Sequence, residues 1–338
     1  MTSIRQQSIA ALSQDVSISL KGIFAIMVLL HHFQQRTGII MQPLIGKAFE
    51  LLGFLSVSVF LFFSGYGLMT SLEKKGKRYL DDFLKNRIYP LYCINLLLIL
   101  LSALKEIITG GSILLKDILS SLFLAHTIVT YGWYIQTILI FYILFYGVFT
   151  IIKNKTAGFI FLASFVVVYV IISHTMDAEP ATYISSLAFI LGMICSRWKG
   201  KAIRFFENKL IATMLSITVF LAFIVLSLLY TNRHVRYISR IIAAPFFVLI
   251  ILVITEVVCN FNMKIIVNKV TKKLGEISLE IYVVQGFFFD IFRNNCIYVA
   301  NDTMYILFVG ICTLMASFLL HPLFSLIYLS FKNSHKYH

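Results

Sequence analysis

The residues most able to do chemistry lie on one apolar run, Lys21-Gly-Ile-Phe-Ala-Ile-Met-Val-Leu-Leu-His31-His32. Everything between the cation and the histidines is apolar or Gly. As a helix, the run from Lys21 to His32 rises roughly 16 Å. A hydrocarbon core is about 30 Å thick, so with Lys21 at one membrane face His32 comes to mid-bilayer. Ionisable groups at that depth are costly and point to function. Imidazole titrates near neutrality, so it can take a proton from a hydroxyl and return it. The competing use is a hydrogen bond to a neighbouring helix. Neighbours on a helix point about 100° apart, so His31 and His32 cannot share one metal ion, and no other metal-ligand spacing occurs. There is also no phosphate-binding P-loop, no dinucleotide fingerprint and no zinc-protease histidine pair.

The rest of the chain must hold this histidine, and its composition says how. Of 338 residues, 59% are apolar and 13% charged. Soluble domains average about 25% charged residues, so this chain cannot cover a water-facing surface. Apolar runs recur at about 18–35, 50–70, 88–104, 131–152, 157–173, 181–197, 210–230, 240–258, 277–293 and 304–330, which predicts an all-α membrane protein of ten spans in a single domain, 1–338. An even number places both termini on one side. That side then holds 21 of the 29 Lys and Arg, so both termini are expected in the cytoplasm. The net charge of +14 therefore reflects topology and membrane lipid, not nucleic acid.

Further candidates lie along the chain. Ser64-Gly65-Tyr66 puts small polar groups in an aromatic run, where a helix or a ligand can approach the backbone. The basic stretch 74–87 is either a topology signal or a site for a polyphosphorylated ligand. Pro90 follows Arg87 at a helix start, where its missing N–H costs little. Loop 105–130 contains an amphipathic stretch, 112–124, and Tyr131, Trp133 and Tyr134 stand where an aromatic belt is expected. Arg233, Arg236 and Arg240 break the positive-inside pattern, which suggests contact with an anionic acceptor. Pro245, close by, can open its helix locally. The five cysteines show no pairing pattern, and His335 and His338 read as a solvated tail.

The motifs together resemble one family. Lys21-x10-His32 is similar to the Arg-x10-His signature of the acyltransferase-3 integral membrane acyltransferases, with Lys for Arg. Phe-Phe-Ser64-Gly65-Tyr66, Arg87-Ile-Tyr-Pro90, Tyr131-Gly-Trp133-Tyr134 and Leu274-Gly-Glu-Ile-Ser278-Leu-Glu-Ile-Tyr282 resemble its later motifs, in family order. Two positions depart from it: Leu84 replaces a second arginine, and Gln285 replaces a histidine and cannot shuttle a proton at neutral pH.

The resemblance implies transfer of an acyl group, usually acetyl, from cytoplasmic acyl-CoA to a hydroxyl of an envelope glycan or lipid-linked saccharide. The membrane would be a bacterial plasma membrane, and acyl-CoA a co-substrate with no resident cofactor. His32 would be the general base or a transient acyl carrier. Lys21 and Arg87 would hold the coenzyme phosphates, with the pantetheine arm beside Ser64 and Gly65. His31, Tyr66, Trp133, Ser278 and Tyr282 would support the site. Some family members carry a hydrolase-like extension, and none is expected here. A transporter or flippase of lipid-linked saccharides competes with this reading, but it would favour matched inverted halves, and none is seen. The oligomeric state is left open.

Overall fold

Asparagine starts many of the helices in this protein. Asn154, Asn208, Asn232, Asn268 and Asn301 each stand just before a helix and accept backbone N–H groups of its first turn on Oδ1. The first N–H groups of a helix have no partner within it, and an Asn cap supplies one. The structure is a computed structural model and describes residues 9–333, so His335 and His338 lie outside the described residues.

The chain is 83% helix, with no strand among the described residues. In order the helices are α1 (Gln14–Thr37), α2 (Pro43–Lys75), α3 (Lys77–Asp81), α4 (Tyr89–Ile108), α5 (Leu115–Leu122), α6 (Trp133–Ile151), α7 (Lys155–Thr175), α8 (Leu187–Arg197), α9 (Lys199–Glu207), α10 (Lys209–Leu229), α11 (Arg233–Asn262), α12 (Lys269–Glu276), α13 (Ser278–Ile291) and α14 (Asp302–Asn333). A π-helical turn, Leu84–Ile88, leads into α4.

Among the described residues, eight helices are long and apolar enough to cross a membrane, or nine if the pair Pro180–Arg197 and Lys199–Phe206, bent by 100°, counts as one. All ten expected apolar runs are helical, but two are short. Run 181–197 becomes an 11-residue α8 after a 3-10 turn. Run 277–293 becomes the 14-residue α13, about 21 Å long, which falls short of a full hydrocarbon core. The stretch 112–124 folds as α5, with Leu115 and Leu119 exposed. Outer faces are apolar too: Phe161 and Ile171 on α7, Met214 on α10 and Met315 on α14 are each more than half exposed. Such continuous apolar exposure suits lipid and not water.

The described chain forms two compact units. The first comprises residues up to Met27, Leu51–Lys74 and Ala163–Glu276. Its cores gather Leu51, Leu55, Ile224 and Ala243, and separately Val170, Tyr183, Ile184 and Ile241. Two helix crossings in it depend on glycine. A Cβ on Gly65 of α2 would strike the Phe189 carbonyl of α8, and one on Gly192 of α8 would strike the Phe62 carbonyl of α2. Likewise a Cβ on Gly22 of α1 would meet the Thr271 carbonyl of α12, and one on Gly275 would strike the Ile18 carbonyl. The second unit comprises Val28–Glu50, Lys75–Leu162 and Ile277 onward. Its core packs Leu29 and Phe33 against Phe289 of α13 and Tyr305 and Val309 of α14.

Candidate active site

The last two turns of α1 carry His31, His32, Gln35 and Arg36. Three residues beyond His32, Gln35 returns to the same helix face. Its Oε1 stands 3.1 Å from His32 Nδ1. The His32 side is closed by Tyr131, whose ring stacks on the imidazole at 3.5 Å between centroids and 20° between planes. Phe289 meets the imidazole edge-on at 6.1 Å. His32 is only 6% exposed. Tyr131 holds this position with φ at +62°, a region that a bulky side chain rarely adopts. Strain of that kind is held in place by its surroundings and clusters where a site needs it.

Hydrogen-bond chemistry fixes the tautomer. A guanidinium can only donate, so Arg36 Nε donates to Tyr131 Oη at 2.9 Å. Burial pushes the Tyr131 phenol up from its ordinary value, against the pull of Arg36, so at neutral pH it keeps its proton. It donates that proton to Gln35 Oε1 at 3.4 Å. The amide oxygen therefore accepts, and His32 Nδ1 must carry the hydrogen that meets it. The lone pair of the ring is left on Nε2, which has no hydrogen-bond partner among the described residues. His31 differs: its Nδ1 donates to the Phe49 carbonyl at 3.0 Å.

Behind Arg36 lies a charged chain. Arg36 Nη2 pairs with Asp290 Oδ1 at 3.1 Å, and Asp290 Oδ2 receives Lys105 Nζ at 2.7 Å and the Thr130 hydroxyl. Lys105 also meets Glu106 at 2.8 Å, and its side chain is 7% exposed. Losing Asp290 would leave the buried Lys105 charge with only the more exposed Glu106; Arg36, at the exposed end of the chain with 36% of its side chain exposed, links Asp290 to Tyr131.

Gln35, Arg36, Lys105, Thr130 and Asp290 were not expected at the site from sequence, and Tyr131 was expected as a belt residue and as part of the Tyr131-Gly-Trp133-Tyr134 motif. The available signal was Asp290, a carboxylate inside an apolar run.

The remaining expected residues fall elsewhere. Lys21 is half-buried in the first unit, beside the Gly22–Gly275 crossing, where Asp15 of α1 pairs with Lys272 of α12 at 3.0 Å. It stands seven residues into α1, and His32 stands five residues before its end. His32 therefore lies in the last third of α1. Gly65 faces the α8 crossing, the Tyr66 backbone nitrogen lies beside Gly192, Tyr66 stacks on Phe62, and Ser64 is half-buried. In the second unit, Trp133 and Tyr134 contact the ring of Tyr282 at 6.4 and 5.0 Å, and Ser278 is buried. Gln285 is fully buried and donates to the Tyr282 carbonyl of its own helix. Arg87 lies against Tyr79, Tyr142 and Tyr328, with no carboxylate in ion-pair range among the described residues.

Arg233, Arg236 and Arg240 have partners within the first unit. Arg233 pairs with Asp177 at 3.1 Å, Arg236 donates to the Thr231 carbonyl, and Arg240 donates to Ser227 Oγ and covers the Phe54 ring. All five cysteines are free, and no group of three or more His, Cys, Asp or Glu among the described residues could hold a metal.

A family model described as an acyltransferase domain matches residues 17–321. The chain belongs to the acyltransferase-3 family. No curated protein and no solved structure matches it. The acyltransferase-3 match begins in α1 and ends in α14, so it takes in His32, Gln35, Tyr131 and Asp290. With its apolar helices, the protein is a multi-pass membrane acyltransferase acting on acceptors of carbohydrate type.

One test addresses the network alone. Tyr131→Phe keeps the stack on His32 and removes the link from Arg36 to Gln35. A net hydrogen bond is worth ~0.5–1.5 kcal/mol, so the rate of acyl transfer should fall by up to about tenfold, with folding intact. An unchanged rate would mean that the phenol does not set the His32 tautomer.

Proposed function

We propose that this acyltransferase moves an acetyl group from cytoplasmic acetyl-CoA to a hydroxyl of an envelope carbohydrate or glycolipid at a bacterial plasma membrane. The observation that carries the reading is His32, buried and stacked, with Nδ1 engaged and Nε2 free. Nε2 takes the proton of the acceptor hydroxyl as its oxygen attacks the thioester carbonyl. The tetrahedral intermediate collapses, the C–S bond breaks, and the imidazolium returns the proton to the departing sulfur. A base in this role supplies typically 10²–10⁴ in rate. Gln35 holds the ring for both transfers. Nε2 is also the nitrogen that a transient acyl-imidazole would use.

The donor reads as cytoplasmic because the cation distribution puts the N-terminal end of α4 inside. Arg87 there lies against tyrosines, with no carboxylate in ion-pair range among the described residues, and is suited to a coenzyme phosphate. Lys21, near the inner end of α1, is the second proposed phosphate contact. Both termini would then be cytoplasmic. Radiolabelled acetyl-CoA supplied to either side of sealed, oriented vesicles tests the reading. Label should reach the acceptor only when the coenzyme is on the cytoplasmic face.

Arg87→Gln should raise the KM for acetyl-CoA about tenfold or more with little change in kcat, because a hydrogen bond to a charged group contributes ~1.5–3 kcal/mol. Added salt should reproduce part of this in the wild-type protein. An unchanged KM would remove Arg87 from the donor site.

A further inference from the structure

Attack on a thioester pushes the carbonyl π electrons onto oxygen, and acyl transfer is fastest where hydrogen-bond donors already stand at that charge. His32, with Nδ1 engaged, serves the proton and not this charge. Arg36 stands four residues beyond His32 and so on the same face of α1. Two aromatic rings face both side chains. Tyr131 stacks on the imidazole at 3.5 Å, and its ring centre lies 5.5 Å from the guanidinium carbon. Phe289 stands 6.1 Å from the imidazole and 5.9 Å from the guanidinium. Base and cation thus share one aromatic wall.

We propose that Arg36 is a second catalytic residue, and that its guanidinium receives the oxyanion formed on the acyl carbonyl. The proposal rests on the acyl-transfer reading above and adds the group that stabilises its intermediate. The guanidinium is held before substrate arrives. Nε donates to Tyr131 Oη at 2.9 Å, and Nη2 reaches Asp290 Oδ1 at 3.1 Å. The Arg36 carbonyl accepts from Arg293 Nη1 at 3.3 Å, which ties down the end of α1. A donor fixed in this way need not reorganise as charge develops.

The guanidinium also keeps donors to spare. It has five N–H groups, and Nη1 has no hydrogen-bond partner among the described residues. Its side chain is partly exposed, so a substrate can reach it. Asp290 divides its two oxygens between Arg36 and Lys105, so it orients the guanidinium without taking up its whole charge. The His32 tautomer does not account for the cation, because the proton that reaches Gln35 is the phenol's own. In the step, the acceptor oxygen bonds to the carbonyl carbon while His32 Nε2 takes its proton. The π pair moves to the carbonyl oxygen, which accepts from Nη1. The pair then returns, the C–S bond breaks, and the proton passes from the imidazolium to sulfur. Arg36 is unchanged throughout.

The test is steady-state acetyl transfer by the full-length protein in lipid nanodiscs. Arg36→Gln should lower kcat by about 10²–10³-fold, the cost of one lost oxyanion donor, with the KM for acetyl-CoA unchanged. If Arg36 only holds Tyr131, Arg36→Gln should lose no more than Tyr131→Phe, and nothing further when the two are combined; that result overturns the proposal. So does a raised KM at unchanged kcat, which would make Arg36 a ground-state contact. Phenylglyoxal, which modifies arginine, decides on the wild type if the variant does not fold. The trifluoromethyl ketone analogue of acetyl-CoA becomes tetrahedral by adding water or a hydroxyl, and it should protect Arg36 from modification. The methyl ketone analogue stays planar and should protect it far less, and equal protection overturns the proposal. A fully active Arg36→Gln beside an inactive His32→Ala overturns the role of Arg36 and leaves the reaction standing. Wild-type protein that transfers nothing from acetyl-CoA overturns the reaction and this role with it.

Discussion

His32→Ala should lower acyl transfer by about 10²–10⁴-fold, the range that a general base contributes, while His31→Ala retains most of the activity. The two rings are neighbours, with centroids 4.9 Å apart, yet they differ in what they can do. His31 spends Nδ1 on the Phe49 carbonyl. His32 meets a side-chain amide at Nδ1 and keeps Nε2 for substrate. Alanine also removes the stack on Tyr131, so a second variant is needed. His32→Phe keeps an aromatic ring there and has no base. Loss of transfer in both variants, measured at matched membrane abundance, assigns the effect to proton transfer. Near-normal turnover in His32→Phe would make His32 a packing residue.

The long elements were legible because a membrane span writes itself into composition. Each apolar run became helical. The departures came from lengths and partners that no local pattern records. Residues 277–293 read as a full span, yet Ile277 breaks the helix with ψ at 14° and leaves α13 short. Lys105 looked like a loop cation because a charge counts against burial; Asp290, 185 residues away, supplies the countercharge. Tyr131 looked like a belt aromatic, and only the tertiary fold stacks it on His32 in a left-handed backbone conformation. The base was thus visible as one of two adjacent imidazoles in an apolar run. Gln35 and Arg36 follow it on α1 itself, but Tyr131, Asp290 and Lys105 come from the turn before α6, from α13 and from α4, which no local pattern records.

Gly192→Leu should sharply reduce the amount of folded protein, and Gly65→Leu should match it. The two glycines sit on opposite sides of one crossing, each facing a backbone carbonyl of the other helix. Close approach of this kind is what small residues allow between membrane helices. Overpacking costs ~1–3 kcal/mol where side chains can give way. Here the obstacle is backbone, which cannot rotate aside, so the cost should reach or exceed the top of that range. Thermal unfolding of purified protein in detergent gives the measure, with Gly200→Leu, where a Cβ would meet open space, as the control. The comparison also settles what Gly65 is for. If both variants lose stability together, Gly65 is a packing residue, and its place in the Ser64-Gly65-Tyr66 motif reflects the α2–α8 crossing. If Gly65→Leu keeps its unfolding temperature but raises the KM for acetyl-CoA, the pantetheine arm passes at this position. The effect of Gly192→Leu would then belong to α8 alone.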